Sequence, residues 1–153
     1  MKKKQDNLIS DNKKARFNYE FIEKIEAGLM LTGNEVKSIR AGRIHLRDAF
    51  ARIINEECWL FNCHITPYNM AHKADKINPT RDRKLLLHKR QLKKWIGKVQ
   101  EKGLTLVPTK MYFSGQYVKV QIALAKAKKI HDKRQQLKEK AIQKDVRQQF
   151  KRR

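Results

Sequence analysis

The stretch LTLVPTKMYFSGQYVKVQIALA, residues 104–125, decides the fold class of this chain. Across 118–124 an aliphatic side chain occupies every second position, with polar or small residues between, which is the period of a β-strand with one buried face. Ser-Gly-Gln at 114–116 is a turn that joins this strand to a second strand-like run at 104–113. The two runs therefore predict an antiparallel hairpin. Pro108 cannot donate to a sheet ladder, so it predicts either an edge strand or a bulge where the sheet curves.

The segments before this hairpin are also strand-like. Residues 17–31 alternate between apolar and polar side chains at first and then bend at Gly28, which predicts a long strand with a kink. Residues 47–54 and 58–65 flank a polar connection of hairpin length, so we expect them to pair antiparallel. Residues 66–84 are polar and lack periodicity. A loop of that length in a compact domain is usually functional, so this segment is a candidate binding loop.

Two helices interrupt the predicted strands. Thr32 and Glu35 have the spacing of a capping box, and Gly42 supplies a left-handed stop, so a short helix is predicted over 33–41. Apolar residues recur with a helical period over 88–102, among many basic residues, and predict an amphipathic helix. Short antiparallel strands with such a helix favour an oligonucleotide-binding-like (OB-like) closed antiparallel β-barrel of about six strands, with two or three helices. A β-sandwich would leave the second helix without an obvious place.

Composition divides the chain into three parts. We expect a flexible basic N-terminus over residues 1–16 and an OB-like β-barrel that binds RNA over residues 17–125. A basic C-terminal tail is expected over residues 126–153. The tail contains twelve Lys and Arg against three acids in 28 residues, and it has too little apolar surface to stay folded alone. Two interpretations of the tail are open: a disordered, solvated extension, or a segment that becomes helical inside an RNA-lined channel.

Positive charge dominates the whole chain. It has 37 Lys+Arg against 15 Asp+Glu, a formal net charge of +22, so we expect a polyanionic partner and first of all nucleic acid. No apolar run approaches the length of about 18 residues that a membrane-spanning helix needs. The basic start of the chain also lacks the apolar stretch of a secretion signal. We therefore expect a cytoplasmic protein that does not cross a membrane.

No pattern in the sequence predicts catalysis, a metal or a cofactor. The five histidines are scattered without metal-ligand spacing or carboxylate partners, and the glycines fit no phosphate-binding loop. Cys58 and Cys63 are five residues apart, so in one strand they face opposite sides, and other candidate ligands are few; we therefore expect reduced, structural cysteines and neither a disulfide nor a zinc site. The sequence thus predicts a binding protein and not an enzyme. Exposed aromatic side chains beside Lys and Arg would stack on unpaired bases.

Several strings are more specific than these patterns. They are NKKAR at 12–16, EAG at 26–28, LTGNEVKSIRAG at 31–42, PTRDRKLLLHKR at 79–90, EKGLTLVP at 101–108 and HDKR at 131–134. In this order, and without a large gap, they resemble the small protein B family, which binds transfer-messenger RNA (tmRNA). The resemblance implies a bacterial factor with an OB-like barrel that binds the tRNA-like domain of tmRNA. Such a factor enters stalled ribosomes with tmRNA and stands in for the missing codon–anticodon helix.

The same resemblance implies the partners and the site residues. The partners are tmRNA, 16S rRNA with the decoding centre and mRNA channel of the small ribosomal subunit, and, through tmRNA, elongation factor Tu and alanyl-tRNA synthetase. The protein would act as a monomer without a cofactor. The residues that match the family's tmRNA contacts are Asn12, Glu26, Leu86 and Lys119. The tail residues that match decoding-site contacts are His131, Asp132, Lys133 and Arg134, and a helix in the mRNA path would follow them.

Each matched barrel residue has a physical reason to contact RNA. Lys119 suits a phosphate. Glu26 carries only acceptors and repels phosphate, so it must meet donors such as a guanine N–H or a 2′-hydroxyl. Asn12 would donate and accept hydrogen bonds at sugar or base edges. Leu86 belongs to the run 85–87, so packing in the core is its alternative role.

Two positions depart from the family pattern. Asn78 replaces the aspartate that many relatives carry before proline, and Ala127 replaces the usual glycine at the junction of barrel and tail. Three other classes of protein stay open: a ribosomal structural protein with the same barrel, a membrane-surface protein that uses the basic tail, and an RNA-modifying enzyme.

Overall fold

A computed structural model describes residues 7–151 of the chain, which form nine β-strands and four α-helices. The strands are β1 Leu8–Asp11, β2 Tyr19–Leu29, β3 Ile44–His45, β4 Phe50–Ile54, β5 Glu57–Phe61, β6 His64–Ile65, β7 Arg83–Leu86, β8 Thr105–Ser114 and β9 Tyr117–Ala127. The helices are α1 Lys13–Asn18, α2 Gly33–Arg40, α3 Lys89–Lys102 and α4 Ile130–Lys151.

Six strands close into a ring of antiparallel pairings, in the order β8, β4, β5, β7, β2, β9 and back to β8. Strand β1 adds to β8 outside this ring, and β3 pairs separately with β6. Strands β8 and β9 form the first predicted hairpin, and β4 and β5 form the second. The ring confirms the prediction of a mainly β fold with a closed antiparallel sheet of about six strands.

Strand β8 bends at its proline. The register between β8 and β9 shifts between Pro108 and Lys110, which is a β-bulge. Proline has no N–H to offer the ladder, and a bulge leaves one residue unpaired, so the two features occur together. Of the two outcomes that Pro108 predicts, the structure has the bulge. The bend divides β8 into a part that pairs with β4 at Leu106 and a part that pairs with β1 from Lys110 onward.

Helix α3 packs its apolar face on the ring, as its helical period predicts. Trp95 is 1% exposed, and Leu92 and Val99 pack against the same core. The helix ends at Gly103, whose φ of 59° is the left-handed conformation that glycine adopts without strain. On the shorter helix α2, the predicted capping box is present, because Thr32 and Glu35 bond each other's backbone N–H groups.

A second, smaller apolar cluster lies on the outer side of the ring beneath α1. Its buried members are Ala15 of α1 with Val107, Ala123 and Ala125 of the sheet. Along β9 these alanines alternate with Ile122 and Leu124 of the main core, so the strand is buried on both faces here. Helix α1 therefore covers one part of the outer face and leaves the rest exposed.

Three segments differ from the sequence prediction. Residues 8–16 of the expected flexible N-terminus lie in β1 and α1, while residues 1–6 fall outside the described residues. Strand β1 forms by pairing with β8, a tertiary contact that its own four residues do not signal. Residues 83 and 84, which we expected in the loop, begin β7. Strand β9 continues beyond residue 125 because Ala127 still pairs with Tyr19.

Candidate nucleic-acid interface

One row of side chains crosses five neighbouring strands on the outer face of the sheet. The register pairs Leu8 with Tyr112, Tyr112 with Lys119, Lys119 with Gly28, and Gly28 with Leu86. Residues directly opposite each other in antiparallel strands share a face, so all five lie on the same side. Three of the four expected barrel residues belong to this face, because Glu26 is two positions from Gly28 on β2.

A second row runs beside the first. It pairs Asp11 with Lys110, Lys110 with Gln121, and Gln121 with Glu26. Residues of both rows and Arg16 of α1 line a cleft of about 580 Å³, whose lining residues are Leu8, Asp11, Arg16, Glu26, Lys110, Tyr112 and Gln121. The cleft holds both signs of charge together with apolar surface. Such a mixture fits the sugar edges and bases of folded RNA better than a uniform phosphate backbone.

Leu86 points outward and not into the core. It is 50% exposed, whereas Leu85 beside it is 2% exposed. Gly28 makes this placement possible, because a Cβ at residue 28 would lie 3.2 Å from the Cβ of Leu86. The glycine therefore lets the leucine side chain lie across β2. Of the run 85–87, Leu85 therefore packs in the core, while the side chain of Leu86 lies on the surface.

Lys119 is half-buried on β9, between Tyr112 and Gly28. Among the described side chains, those of residues 7–100, 103–129 and 131–151, its ammonium group has no salt-bridge partner, and neither has that of Lys110. Two lysines on this face are thus available to phosphates. Alternation along β9 places Gln121 on the same face as Lys119, although only Lys119 was predicted to bind RNA. Lys110 and Tyr112 reach the site through the register of β8 against β9, and spacing along the chain does not give that register.

Glu26 is held by a tyrosine. The Tyr112 hydroxyl donates a hydrogen bond to Oε2 of Glu26. Because β9 lies between β8 and β2, the Tyr112 side chain must cross β9 to reach this carboxylate. Burial and the hydrogen bond to Glu26 both raise the pKa of Tyr112 above its usual range, so the hydroxyl stays protonated and acts as a donor.

Asn12 is buried, which differs from the expectation that its amide meets sugar or base edges. It is 3% exposed and serves as the N-cap of α1, where its Oδ1 accepts from the Ala15 N–H at 3.1 Å. Its Nδ2 donates to the carbonyl oxygens of Leu46 at 3.1 Å and Pro108 at 2.8 Å. Both amide hydrogens are thereby used inside the protein. The amide hydrogens of Asn12 therefore have no capacity left to donate to RNA. Its bonds instead hold the start of α1 against Pro108, next to the bulge in β8.

A buried ion-pair cluster fixes the start of β7, on which Leu86 lies. Arg83 is fully buried, and its guanidinium reaches Glu35 Oε2 at 2.6 Å from Nε and the Cys63 carbonyl oxygen at 2.6 Å from Nη1. Arg81 also donates to Glu35. Burial opposes the charged form of Glu35, but donors from Arg81, the Thr32 N–H and Arg83 outweigh it and lower the pKa of Glu35. The cluster ties α2 to the end of the loop at 66–82.

The tail residues lie apart from this face. His131, Asp132 and Arg134 are exposed in the first turn of α4, and Lys133 is half-buried there. Further along the helix the exposed apolar side chains are Leu137, Ile142, Val146 and Phe150. A contact of α4 with the rest of the chain is the Lys140 ammonium group, which lies 5.5 Å from the centre of the Phe17 ring. The expected site residues therefore form two groups, one on the barrel and one at the start of α4.

Neither a metal centre nor a membrane helix stands out in the described range. Among the side chains that the structure describes, which exclude residues 101, 102 and 130 as well as both termini, no group of three or more His, Cys, Asp or Glu could hold a metal ion. In the same range no helix is long and apolar enough to cross a membrane. The thiols of Cys58 and Cys63 are buried and unbonded, and burial raises the pKa of Cys63 to about 11.

Comparison with known proteins places this geometry in a family. The family model described as SmpB protein matches residues 9–152. The SsrA-binding protein of Gloeothece citriformis is 54% identical to this chain over 145 residues, which cover 95% of this chain and 94% of the relative. The SsrA-binding protein of Thermosynechococcus vestitus is 51% identical over 146 residues, covering 95% and 96% of the two chains.

A solved structure is similar as well. A chain of the structure described as "tmRNA-SmpB: a journey to the center of the bacterial ribosome" superposes with a TM-score of 0.65 at 48% sequence identity, over 79% of this chain and 85% of that chain. The likeness supports the OB-like reading of the six-stranded ring. Because the family model spans nearly the whole chain and the relatives match it over most of their length, this chain belongs to the SmpB protein family.

Proposed function

We propose that this protein is a tmRNA-binding adaptor of trans-translation. It binds the tRNA-like domain of tmRNA, brings it into stalled ribosomes and fills the place of the missing codon–anticodon helix with its tail. The nascent chain is then tagged and the ribosome is released. The observation that carries the proposal is the outer barrel face, where Glu26, Leu86 and Lys119 come together in a chain about half identical to SsrA-binding proteins.

The barrel face divides its work among three kinds of contact. Lys119 and Lys110 bind phosphates, because their ammonium groups lie on the face without a carboxylate partner in the described part of the chain. Glu26 accepts hydrogen bonds from base or ribose donors. Leu86 packs on an apolar part of the RNA, such as the flat face of an unpaired base. The lysines supply affinity, and the other two contacts supply recognition.

Asn12 acts on RNA through the protein surface. Its side chain joins α1 to the carbonyl oxygens of Leu46 and Pro108. It therefore positions the bulge in β8, from which Lys110 and Tyr112 project. In this scheme Asn12 is a positioning residue, and the direct contacts belong to the exposed side chains of the face.

The start of α4 enters the decoding centre of the small subunit. His131 stacks there on 16S rRNA, and Asp132, Lys133 and Arg134 bind around it, while the rest of α4 follows the mRNA channel. The tail carries twelve basic residues, which the phosphates lining such a channel neutralise. Away from the ribosome the tail loses its helical order, since few of its side chains are buried. The channel would supply the missing partners.

The adaptor carries out no reaction of its own. It works as a cytoplasmic monomer, without a cofactor, and its direct partners are tmRNA and the small ribosomal subunit. Elongation factor Tu and alanyl-tRNA synthetase act with it only through tmRNA, because both are expected to bind the RNA. Its contribution is to make a ribosome without a codon accept a charged RNA.

Truncation tests the division between barrel and tail. Strand β9 ends at Ala127 and the Lys128 N–H donates to the Asn18 carbonyl oxygen, so the chain is best cut after Lys129. We expect the truncated protein to bind the tRNA-like domain nearly as the full chain does, in a gel-shift assay. In a tagging assay with stalled ribosomes it should be inactive. Loss of both properties together would overturn the two-part scheme.

Salt tests the electrostatic part of the proposal. Each phosphate that the protein neutralises releases counterions, so the affinity for RNA should fall steeply as salt rises. A preference for tmRNA over bulk RNA should persist, because the contacts of Glu26 and Leu86 depend less on salt. An affinity that does not change with salt would contradict the proposed role of the lysines.

A further inference from the structure

Tyr112 occupies the centre of the barrel face, although none of the sequence patterns singles it out. It is half-buried on β8, directly opposite Lys119 and Leu8. Its side chain crosses β9 and donates a hydrogen bond to Oε2 of Glu26 on β2. The Lys110 ammonium group lies 5.8 Å from the centre of the ring. Tyr112 thus contacts both Lys110 and Glu26, the acid on this face that was expected to bind RNA.

The partner of Glu26 is unusual for so basic a protein. With 37 Lys and Arg in the chain, a surface carboxylate has many cations available to it. The other described carboxylates with side-chain partners, Asp11, Glu23, Glu35, Asp48 and Glu57, all pair with Lys or Arg. Glu26 instead receives a neutral hydroxyl donor. A neutral donor orients the carboxylate and leaves its negative charge uncompensated.

An oriented, uncompensated carboxylate has two effects on RNA. Of the two carboxylate oxygens of Glu26, Oε2 accepts a hydrogen bond from a described side chain and Oε1 does not. Oε1 is therefore available to an N–H or 2′-hydroxyl group of the RNA. The same charge repels a phosphate at this point of the face, while Lys110 and Lys119 attract phosphates beside it. The arrangement favours an RNA that presents a donor between two phosphates.

We propose that Tyr112 is a specificity-determining residue of this surface, which holds Glu26 in the orientation that accepts an RNA donor and rejects RNA with a phosphate in that position. The inference deepens the proposed function and rests on it. Tyr112 acts on the RNA through Glu26, so it is a positioning residue for that contact.

The test is the substitution Tyr112→Phe, which keeps the ring and removes the hydroxyl. Affinity is measured for a transcript of the tRNA-like domain of tmRNA and for a plain RNA duplex of equal length, at one salt concentration. The lost hydrogen bond ends on a charged group, and a bond of this kind changes a binding constant by about tenfold or more. We therefore expect the affinity for the tRNA-like domain to fall about tenfold. The affinity for the duplex should stay unchanged. Tyr117→Phe is the matched control, since Tyr117 is 72% exposed on the neighbouring strand and should change neither affinity.

A double-variant cycle separates orientation from mere loss of packing. If Tyr112 works through Glu26, Tyr112→Phe should have no further effect in a Glu26→Gln background. Glu26→Gln alone should also reduce the ratio of the affinity for the tRNA-like domain to that for the duplex. This measurement does not depend on how well the Tyr112→Phe variant folds. A purely structural role would instead lower both RNA affinities and the melting temperature together.

Three results would overturn the assignment of Tyr112. They are an unchanged preference in Tyr112→Phe, an equal loss of affinity for both RNAs, and independent effects of the two substitutions. The proposed function fails in a different way, because then the unaltered protein would show no preference for the tRNA-like domain at all. The two failures are therefore distinguishable in one set of titrations.

Discussion

Neutralising Glu35 with Glu35→Gln should destabilise the fold by leaving a buried arginine without its counter-charge. Arg83 is fully buried and contacts Glu35 Oε2 at 2.6 Å from Nε, while Glu35 is 5% exposed. Removing one partner of a buried ion pair costs about 3–5 kcal/mol, and the total stability of a domain is only about 5–15 kcal/mol. For a chain of this size each kcal/mol lowers the melting temperature by about 2–4 °C, so we expect a fall of about 10 °C.

Urea denaturation followed by circular dichroism measures the loss of free energy of unfolding, and a thermal scan with the same signal measures the fall in melting temperature; Glu23→Gln is the matched control. Glu23 also pairs with two cations, Lys94 and Lys98, but near the surface, where such pairs contribute about 0–1 kcal/mol. The pKa of Glu35 is lowered in the folded protein, so its contribution to stability is complete above the ordinary pKa of 4.5 and is lost progressively as the pH falls from there through the lowered pKa. A loss for Glu35→Gln no larger than that for Glu23→Gln would refute the reasoning.

Three further predictions follow from single contacts. Asn12→Ala removes the α1 cap, which leaves the Ala15 N–H without its acceptor, and it removes two buried hydrogen bonds to the Leu46 and Pro108 carbonyl oxygens, so urea denaturation should show a loss of about 2–4 kcal/mol, with Asn18→Ala nearly neutral. Gly28→Ala places a Cβ 3.2 Å from that of Leu86, so gel shifts should show severalfold weaker tmRNA binding, whereas Gly97→Ala, with open space at its Cβ, should bind normally. Hydrogen bonds from Lys98 and Lys94 lower the pKa of Glu23 in the folded protein, so the difference of about 0–1 kcal/mol between the wild type and Glu23→Gln in urea denaturation should be present at pH 7 and vanish as the pH falls through that lowered pKa.

Periodicity predicted the parts of the fold whose signal is local. The hairpin of β8 and β9, the capping box at Thr32 and Glu35, and the amphipathic helix α3 all carry their pattern within a few neighbouring residues. Pro108 even indicated the bulge. Strand β1 and the start of β7 were missed because pairing with distant strands creates them, and short segments with few apolar residues do not display that pairing.

The candidate site shows the same limit. The resemblance supplied Glu26, Leu86 and Lys119, and the structure brings them together. It also supplied Asn12, whose burial could not be read from the sequence because an N-cap and a surface asparagine look alike there. Tyr112 and Lys110 were missed because a one-residue change of register would turn their side chains to the other face of β8.

The short connection between β9 and α4 makes the tail a lever. Only Lys128 and Lys129 separate the strand from the helix, and Lys128 is bonded to the carbonyl oxygens of Asn18 and Arg16. A helix of 22 residues extends about 33 Å at 1.5 Å per residue. Rotating the barrel by about 10° would therefore swing the far tip of the helix by roughly 6 Å, more than one turn of helix. The orientation in which the barrel binds one RNA therefore determines where helix α4 meets a second RNA.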